Sequence, residues 1–374
     1  MLRKLKTLKK YQIILVVLLS LFFLSACSIK EIEKSAFIAE IGIDSSGNSE
    51  KPFKVTLKIY NPTSSIKESD SPNYIYISED GKSITDAIRL LETKVDKRLE
   101  FGHLKFIILG EESIEKLQIR DMLDFFSRRP DIQLISWVMI GRPSAEHIVK
   151  MVPKSETAAY TSLFNYFDQN ANESPFIVSR FLFDFRRKYF DEGVDPVLPI
   201  VETEEQEFKI DSALIIGENK NTVALDTNET RIYDILKGNV FKADLIVDTE
   251  NEYFMIEADK IHVNYQTVED SDGSITLKVH INAKGIIVES KKHLEIDNLK
   301  KYNELAGKHA TELTKKFIIK LQESEIDPIG FGVRYQTTKL HNHLMSYEEW
   351  MKAYKDADLD IKVTFELKST GQLG

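Results

Sequence analysis

The strongest constraint on this chain lies near its start, at Leu24-Ser25-Ala26-Cys27. Five basic residues (Arg3, Lys4, Lys6, Lys9, Lys10) precede an apolar run from Ile13 to Leu24. A basic region, an apolar region and small residues before a cut make an export signal. The competing reading is an uncleaved membrane helix, but the run is short of the ~20 apolar residues that a span needs. The expected leader is therefore 1–26, removed ahead of Cys27. Cys27 is also the only cysteine in the chain. If its thiol is consumed, the body behind it folds without a disulfide and must rest on its own apolar core.

The tetrapeptide ending at Cys27 resembles a bacterial lipobox. The resemblance implies lipidation: the Cys27 thiol takes a diacylglyceryl group and becomes the first residue of the mature chain. Two acyl chains anchor a protein stably where one does so only marginally. Charge fits a body held beside a membrane and not on nucleic acid. The whole chain has 50 basic and 59 acidic residues, net −9, and losing the five leader cations leaves −14. Such a body repels nucleic acid and anionic headgroups alike, so nucleic acid is not expected as a partner. No later apolar run reaches spanning length.

Some 350 mature residues exceed one ordinary core, so the fold expected is α+β in three domains, built on mixed or antiparallel sheets with packed helices. The sections are 27–200, 201–270 and 271–374. In the first, Phe37–Ile43 and Phe53–Ile59 read as a hairpin about the turn residues Asp44–Ser49. The second of these alternates Phe53, Val55, Leu57, Ile59 against Lys54, Thr56, Lys58, the pattern of a half-buried strand. Asn61–Tyr74 reads as a loop. Ser83 with Asp86 starts a helix whose buried face is Ile84, Ala87, Ile88, Leu91 and Val95. Leu104–Leu109 is a buried strand, Ile114–Phe126 a helix and Ile132–Ile140 a strand. Gly141 and Pro143 break it, and Ser144 caps a short helix. Ser174-Pro175 opens a helix with an aromatic stripe at Ile177, Phe181, Phe185 and Tyr189. Gly193–Pro199 reads as a linker.

In the middle section Phe208–Ile216 and Val223–Leu225 are strands and Arg231–Leu236 a short helix stopping at Gly238. Val240–Val247, Phe254–Tyr265 and Ile275–Ala283 are strands, with a type I′ turn expected at Asp270-Ser271-Asp272-Gly273. A long helix follows. Its apolar face is Leu299, Tyr302, Ala306, Leu313, Phe317 and Leu321, and lysines 300, 301, 308, 315, 316 and 320 form a solvated face. Asp327-Pro328 ends it. Ser346 with Glu349 caps a helix carrying Trp350 and Tyr354, and Ile361–Leu367 closes the chain as a strand.

No catalytic motif stands out: there is no Gly-x-Ser-x-Gly, no His-Glu-x-x-His and no Gly-x-x-x-x-Gly-Lys. His341 and His343 sit two apart without companion ligands and read as a surface loop. His103 reads as a histidine hydrogen-bonded in place. No catalytic, cofactor-binding or metal residue is assigned; the single site residue is Cys27.

Several stretches together resemble one family, the Ger(x)C spore germination lipoproteins, C subunits of germinant receptors. They are the lipobox ending at Cys27, Ile41-Gly42-Ile43-Asp44, and Gly102-His103-Leu104-Lys105 running to Gly110-Glu111-Glu112. Phe125–Ile132, Asp195–Pro199, Asp211–Gly238 and Ile326–Gly332, with Trp350 and Tyr354 beyond, follow in order. Ser28-Ile29 stands where the family often has Trp-Asp. The resemblance implies a non-enzymatic, lipid-anchored subunit without a cofactor. It implies residence on the outer surface of the inner spore membrane, beside membrane-embedded A and B subunits, where it serves nutrient-triggered germination. Two other classes are weighed against it: a solute-binding lipoprotein, which would show two similar lobes, and a tethered hydrolase, which would need a convergent polar pocket.

Overall fold

The structure, a computed structural model, describes residues 34–60, 74–154, 162–170, 174–190, 193–217, 221–240, 242–249, 252–338 and 345–370. Cys27, His341 and His343 lie outside them. The fold is mixed α+β, with two sheets and packed helices among the described residues.

The first part of the chain runs β1 (Ser35–Ser45), β2 (Phe53–Tyr60), β3 (Tyr74–Gly81), α1 (Ile84–Glu92), β4 (Arg98–Glu100), β5 (Phe106–Gly110), α2 (Glu111–Lys116) and α3 (Ile119–Arg128). Then come β6 (Trp137–Gly141), α4 (Ala145–Lys150), α5 (Ser162–Asn165), α6 (Leu182–Phe190), β7 (Val197–Glu204), β8 (Glu207–Ile216) and β9 (Thr222–Leu225). These strands form one sheet in the order β3-β2-β1-β5-β6-β7-β8-β9, with β4 also paired to β1. Its centre, β1-β5-β6-β7, is parallel, and both flanks are antiparallel. β5 and β6 are buried at every residue. A parallel strand with both faces covered needs such an unbroken apolar run. One face packs Ile107, Leu109 and Ile140 against α1, α3 and α6. The other packs Phe106, Ile108 and Met139 against Ala145, Ile148 and Val149 of α4.

The second part runs α7 (Thr227–Leu236), β10 (Ala243–Asp248), β11 (Tyr253–Glu269), β12 (Ile275–Ser290), α8 (Leu299–Glu323), α9 (Phe331–Thr338), α10 (Tyr347–Lys355) and β13 (Asp358–Leu367). Strands β10 to β13 form a second sheet in sequence order, antiparallel except for the parallel pair β12–β13. Residues 201–225 thus extend the first sheet, and 243–269 begin the second. Helix α8 lies on the second sheet, burying Tyr302, Ala306, Ala310, Phe317, Ile318 and Leu321. Helix side chains also occupy both outer strands. Asn303 and Thr311 accept the backbone N–H groups of Leu367 and Val363 on β13, at 2.9 and 3.0 Å. On β10, Arg231 donates to the Asp244 carbonyl at 2.7 Å.

The expected helix starts are present where a cap marked them. Ser83 accepts from Asp86 N–H, Ser144 from His147 N–H, and Ser346 with Glu349 forms a capping box. Other expectations are corrected. Ile114–Phe126 is two helices, α2 and α3, broken at Leu117-Gln118, because Leu117 turns extended. The strand expected from Ile132 begins only at Trp137, after a turn. The helix expected at Ser174 begins at Leu182, so Ile177 and Phe181 of the aromatic stripe precede it. Gly193–Pro199, read as a linker, runs directly into the buried strand β7. β3 follows the loop expected at Asn61–Tyr74, and sequence periodicity gave no sign of it. Only Gly273 has positive φ in the 270–273 turn, whereas type I′ needs two such residues. Thr56 and Lys58 are buried, not solvent-facing, because α4 lies across β2.

Leu313 is half-buried and packs into the second core, whereas Lys315 is exposed. Leu313→Asp should therefore lower stability by roughly 3 kcal/mol and Lys315→Asp by no more than about 0.5 kcal/mol. Parallel thermal melts check this; equal shifts would misplace the apolar face of α8.

Candidate functional site

Two clusters of buried polar residues hold the segments that resemble the family. The first lies at the carboxyl ends of the parallel strands, where open α/β sheets commonly place ligands. Asp44 ends β1 and is buried. Its carboxylate accepts the backbone N–H groups of Ala145 and Glu146 at 2.8 and 2.7 Å, closing the start of α4 beside the Ser144 cap. Burial pushes the Asp44 carboxyl up, and the two N–H bonds oppose that. Gly110 must be glycine here, since a Cβ would stand 2.0 Å from an Asp44 carboxylate oxygen. Ser113 Oγ donates to the Ile43 carbonyl at 3.2 Å. The segments Ile41–Asp44 and Gly110–Glu112, far apart in sequence, are therefore one joint.

Around it the charges are paired. Arg142 grips Glu111 through two bonds of 2.5 Å and reaches Glu202 at 2.9 Å, tying the end of β6 to the start of α2 and to β7. Those two carboxylates hold the guanidinium charged, its pKa raised further against the cost of burial. Glu146 accepts from Lys54, Lys150 and Ser78 at 2.5, 2.6 and 2.9 Å. Burial would raise its pKa, but the three donors outweigh it and hold the carboxyl at about 2. A carboxylate so fixed has no proton to give near neutral pH. Beside it Ser144, Glu146, His147, Lys150 and Met151 line an open depression of about 390 Å³. His147 Nε2 lies 3.1 Å from Thr203 Oγ1.

The second cluster joins the two sheets. Asp327 is buried, and its carboxylate accepts the N–H groups of Gly330, Phe331 and Gly332 at 2.8, 3.1 and 2.8 Å. Asp195 accepts the Asp327 N–H at 2.5 Å and returns its own N–H to the Asp327 carbonyl at 3.3 Å. Lys237 Nζ donates to the Ile329 carbonyl at 2.9 Å. The Ile326–Gly332 segment does more than end α8: it winds round its own aspartate to start α9. Gly332 is needed because a Cβ would meet the Trp350 indole at 2.6 Å. Trp350 stacks with Tyr335 at 5.7 Å and lies 5.8 Å from Tyr354.

Between α6 and α7, Arg180 donates to Tyr233 Oη at 2.8 Å, Lys188 pairs with Asp184 at 2.9 Å, and Asn239 donates to Asp234 at 2.7 Å. Burial, with Arg180 nearby, pushes Lys188 down to about 8. Burial pushes Asp234 up from 3.8 to about 6, against the Asn239 bond. Folded Asp234 thus keeps a proton that the unfolded chain has lost, so its contribution to stability falls as pH rises from 3.8 to about 6. Asp234→Asn should then raise stability at pH 7.5 by about 2 kcal/mol, with little gain near pH 4. Denaturant unfolding at both pH values checks this; an equal gain at both would remove the titration from the account.

Sequence reasoning marked Asp44, Gly110, Asp195, Asp327 and Trp350 as motif members without showing which would meet. It missed Arg142, whose signal was its place between a strand-ending glycine and Pro143. His103 is exposed and sets its ring edge-on to Phe37 at 4.9 Å, an aromatic contact and not the expected hydrogen-bonded seat. Among the described residues no three His, Cys, Asp or Glu side chains converge as metal ligands.

The family description "Spore germination protein N-terminal domain" matches residues 28–203, and "Spore germination B3/ GerAC like, C-terminal" matches residues 210–371. The chain belongs to the Ger(x)C spore germination family. Spore germination protein B3 of Bacillus subtilis (strain 168) is 22% identical over 99% of this chain and 100% of its own length. Spore germination protein KC of the same organism is 23% identical over 97% of this chain and 96% of its own. The crystal structure of the GerBC protein shares the fold, with a TM-score of 0.59 at 16% identity, over 91% of this chain and all of that one. The segments through which the sequence resembles the family, Ile41–Asp44 with Gly110–Glu112 and Asp195–Pro199 with Ile326–Gly332, meet at the strand-end joint and at the sheet-to-sheet joint. Their side chains bond to the protein itself.

Proposed function

We propose that the chain is a lipid-anchored, non-enzymatic subunit of a nutrient germinant receptor, needed for receptor assembly and signalling. The observation that carries the reading is family membership along almost the full body, with the first family match starting at residue 28. That start directly follows Cys27 and supports cleavage and lipidation there. The site geometry agrees with a scaffold. Motif carboxylates are spent on backbone N–H groups and cations; the apolar cavity beneath α8 holds only about 60 Å³, against the ~300–1,000 Å³ of ordinary ligand clefts, and the larger depression at α4 is open and lined by one short helix. The partners on this reading are membrane-embedded A and B subunits, and the place is the outer surface of the inner spore membrane. Tethering raises the effective concentration of a modest docking surface toward partners in the same bilayer.

The test has two arms. Capture of the chain from spore membranes should bring transporter-like subunits with it. Deleting it should abolish the response to its receptor's nutrient while leaving receptor-independent triggers effective. Cys27→Ala should leave the protein unlipidated and shift the mature-sized form out of the membrane fraction. Saturable one-to-one binding of a nutrient to the purified protein by calorimetry, lost on mutating one cleft, would replace the scaffold with a direct sensor.

A further inference from the structure

One edge of the first sheet carries an apolar tip that the core does not use. Leu134, Ile135 and Phe183 are 48%, 57% and 47% exposed. They adjoin one another, since Phe183 N–H donates to the Leu134 carbonyl at 3.0 Å and Phe183 stacks on Phe181 at 6.0 Å. Soluble surfaces seldom gather large apolar side chains at a loop tip without a use for them.

The position of the tip matters more than its size. Parallel strands β1, β5 and β6 start at the same edge, in register through Glu40, Phe106 and Trp137. Hydrogen bonds lace those starts together: Lys105 N–H to the Ala39 carbonyl at 3.0 Å, Trp137 N–H to the Lys105 carbonyl at 2.8 Å, and Ser136 Oγ to the Leu104 carbonyl at 2.7 Å. Loop 133–136 therefore stands two strands, roughly 10 Å across the sheet, from β1 at the level of Glu40, while β1 itself begins at Ser35. About ten residues separate Cys27 from Phe37, a reach of at most ~35 Å. An anchor at Cys27 would limit how far the entry edge can stand from the bilayer to that reach.

Charge at the tip runs against that of the body. Arg186 and Arg187, on α6 just after Phe183, are exposed, as is Arg128 at the end of α3, and Arg129 lies over the Phe101 ring at 4.3 Å. The acids there are shared: Asp184 serves Arg187 and Lys188, each at 2.9 Å, while Asp124 and Asp131 each face one arginine. A basic rim round an apolar tip is the chemistry of an anionic lipid surface.

We propose that Leu134, Ile135 and Phe183 dip into the headgroup–acyl boundary and fix the body's orientation on the membrane, with the Asp44–Arg142 edge facing away. This rests on the lipid-anchor reading of Cys27. Because Cys27 is the only native cysteine and is acylated, Ile135→Cys gives a single labelling thiol, as does Ser49→Cys at the opposite edge. The lipidated chain, labelled with an environment-sensitive fluorophore, is placed on vesicles of phosphatidylglycerol and phosphatidylethanolamine. The probe at 135 should shift to the blue and be quenched by nitroxide-bearing lipid, while the probe at 49 stays aqueous. Vesicle flotation, read on the same samples, reports the anchor separately. Floating protein with an unquenched probe at 135 overturns the orientation and leaves the anchor standing; protein that does not float overturns both. Shielding at 135 that needs added receptor subunits and comes without lipid quenching makes the tip a protein contact and overturns the proposal. Leu134→Ser/Ile135→Ser/Phe183→Ser changes only exposed positions. This triple variant should float yet lose the vesicle-induced slowing of amide exchange across 130–136; retained slowing counts against the tip.

Discussion

Lys58→Met should destabilise the protein by about 4 kcal/mol, the range for breaking a buried ion pair from one side. Lys58 Nζ lies 3.1 Å from a Glu40 carboxylate oxygen, and both side chains are only 1% exposed. The ammonium also sits 4.5 Å over the Tyr74 ring. The two residues face each other across β1 and β2, under α4. Removing the cation takes away the ammonium 3.1 Å from a carboxylate that stays buried. Replacing both, as Glu40→Leu/Lys58→Met, removes the desolvated charges together and should recover most of the loss. Urea unfolding of the two variants measures the difference. A double variant as unstable as the single one would show that the cost is lost packing and not the uncompensated charge.

Asp327→Ala should cost a further large amount, about 3–5 kcal/mol, because one substitution orphans three buried N–H groups and removes a helix cap. The loss should appear first in the C-terminal half, where α9 packs Phe331 and Tyr335 against the second sheet and α10. Amide exchange at Gly330, Phe331 and Gly332 is the direct readout. Protection unchanged at those three positions would mean that other groups start α9.

Much of the second half was legible because its periods are long and its caps explicit. Helix α8 announced itself by its apolar spacing, and Ser346 with Glu349 marked α10. The first half hid more. Lys58 alternates with Leu57 and Ile59 and so looks solvent-facing. What buries it is α4, some ninety residues later, and no local pattern carries that information. β7 was masked by Gly193, Pro196 and Pro199, which signal a loop although the strand runs mid-sheet. The joints were half legible. Asp44, Asp195 and Asp327 could be singled out as motif residues. That Asp44 reaches α4, and that Asp195 and Asp327 bind each other's backbone, depends on the tertiary fold.

The way α7 and α8 cover the rims of the second sheet bears on crowding. On the proposed membrane-bound reading, many copies share one plane, where lateral encounters are frequent. A bare strand rim in that setting is a template for end-to-end growth from molecule to molecule. Asn303 and Thr311 already hold amide hydrogens of β13, and Arg231 already holds a carbonyl of β10. A neighbour's strand would have to displace those side chains before it could pair at those positions. The second sheet can therefore be packed densely beside its own kind without polymerising through its backbone.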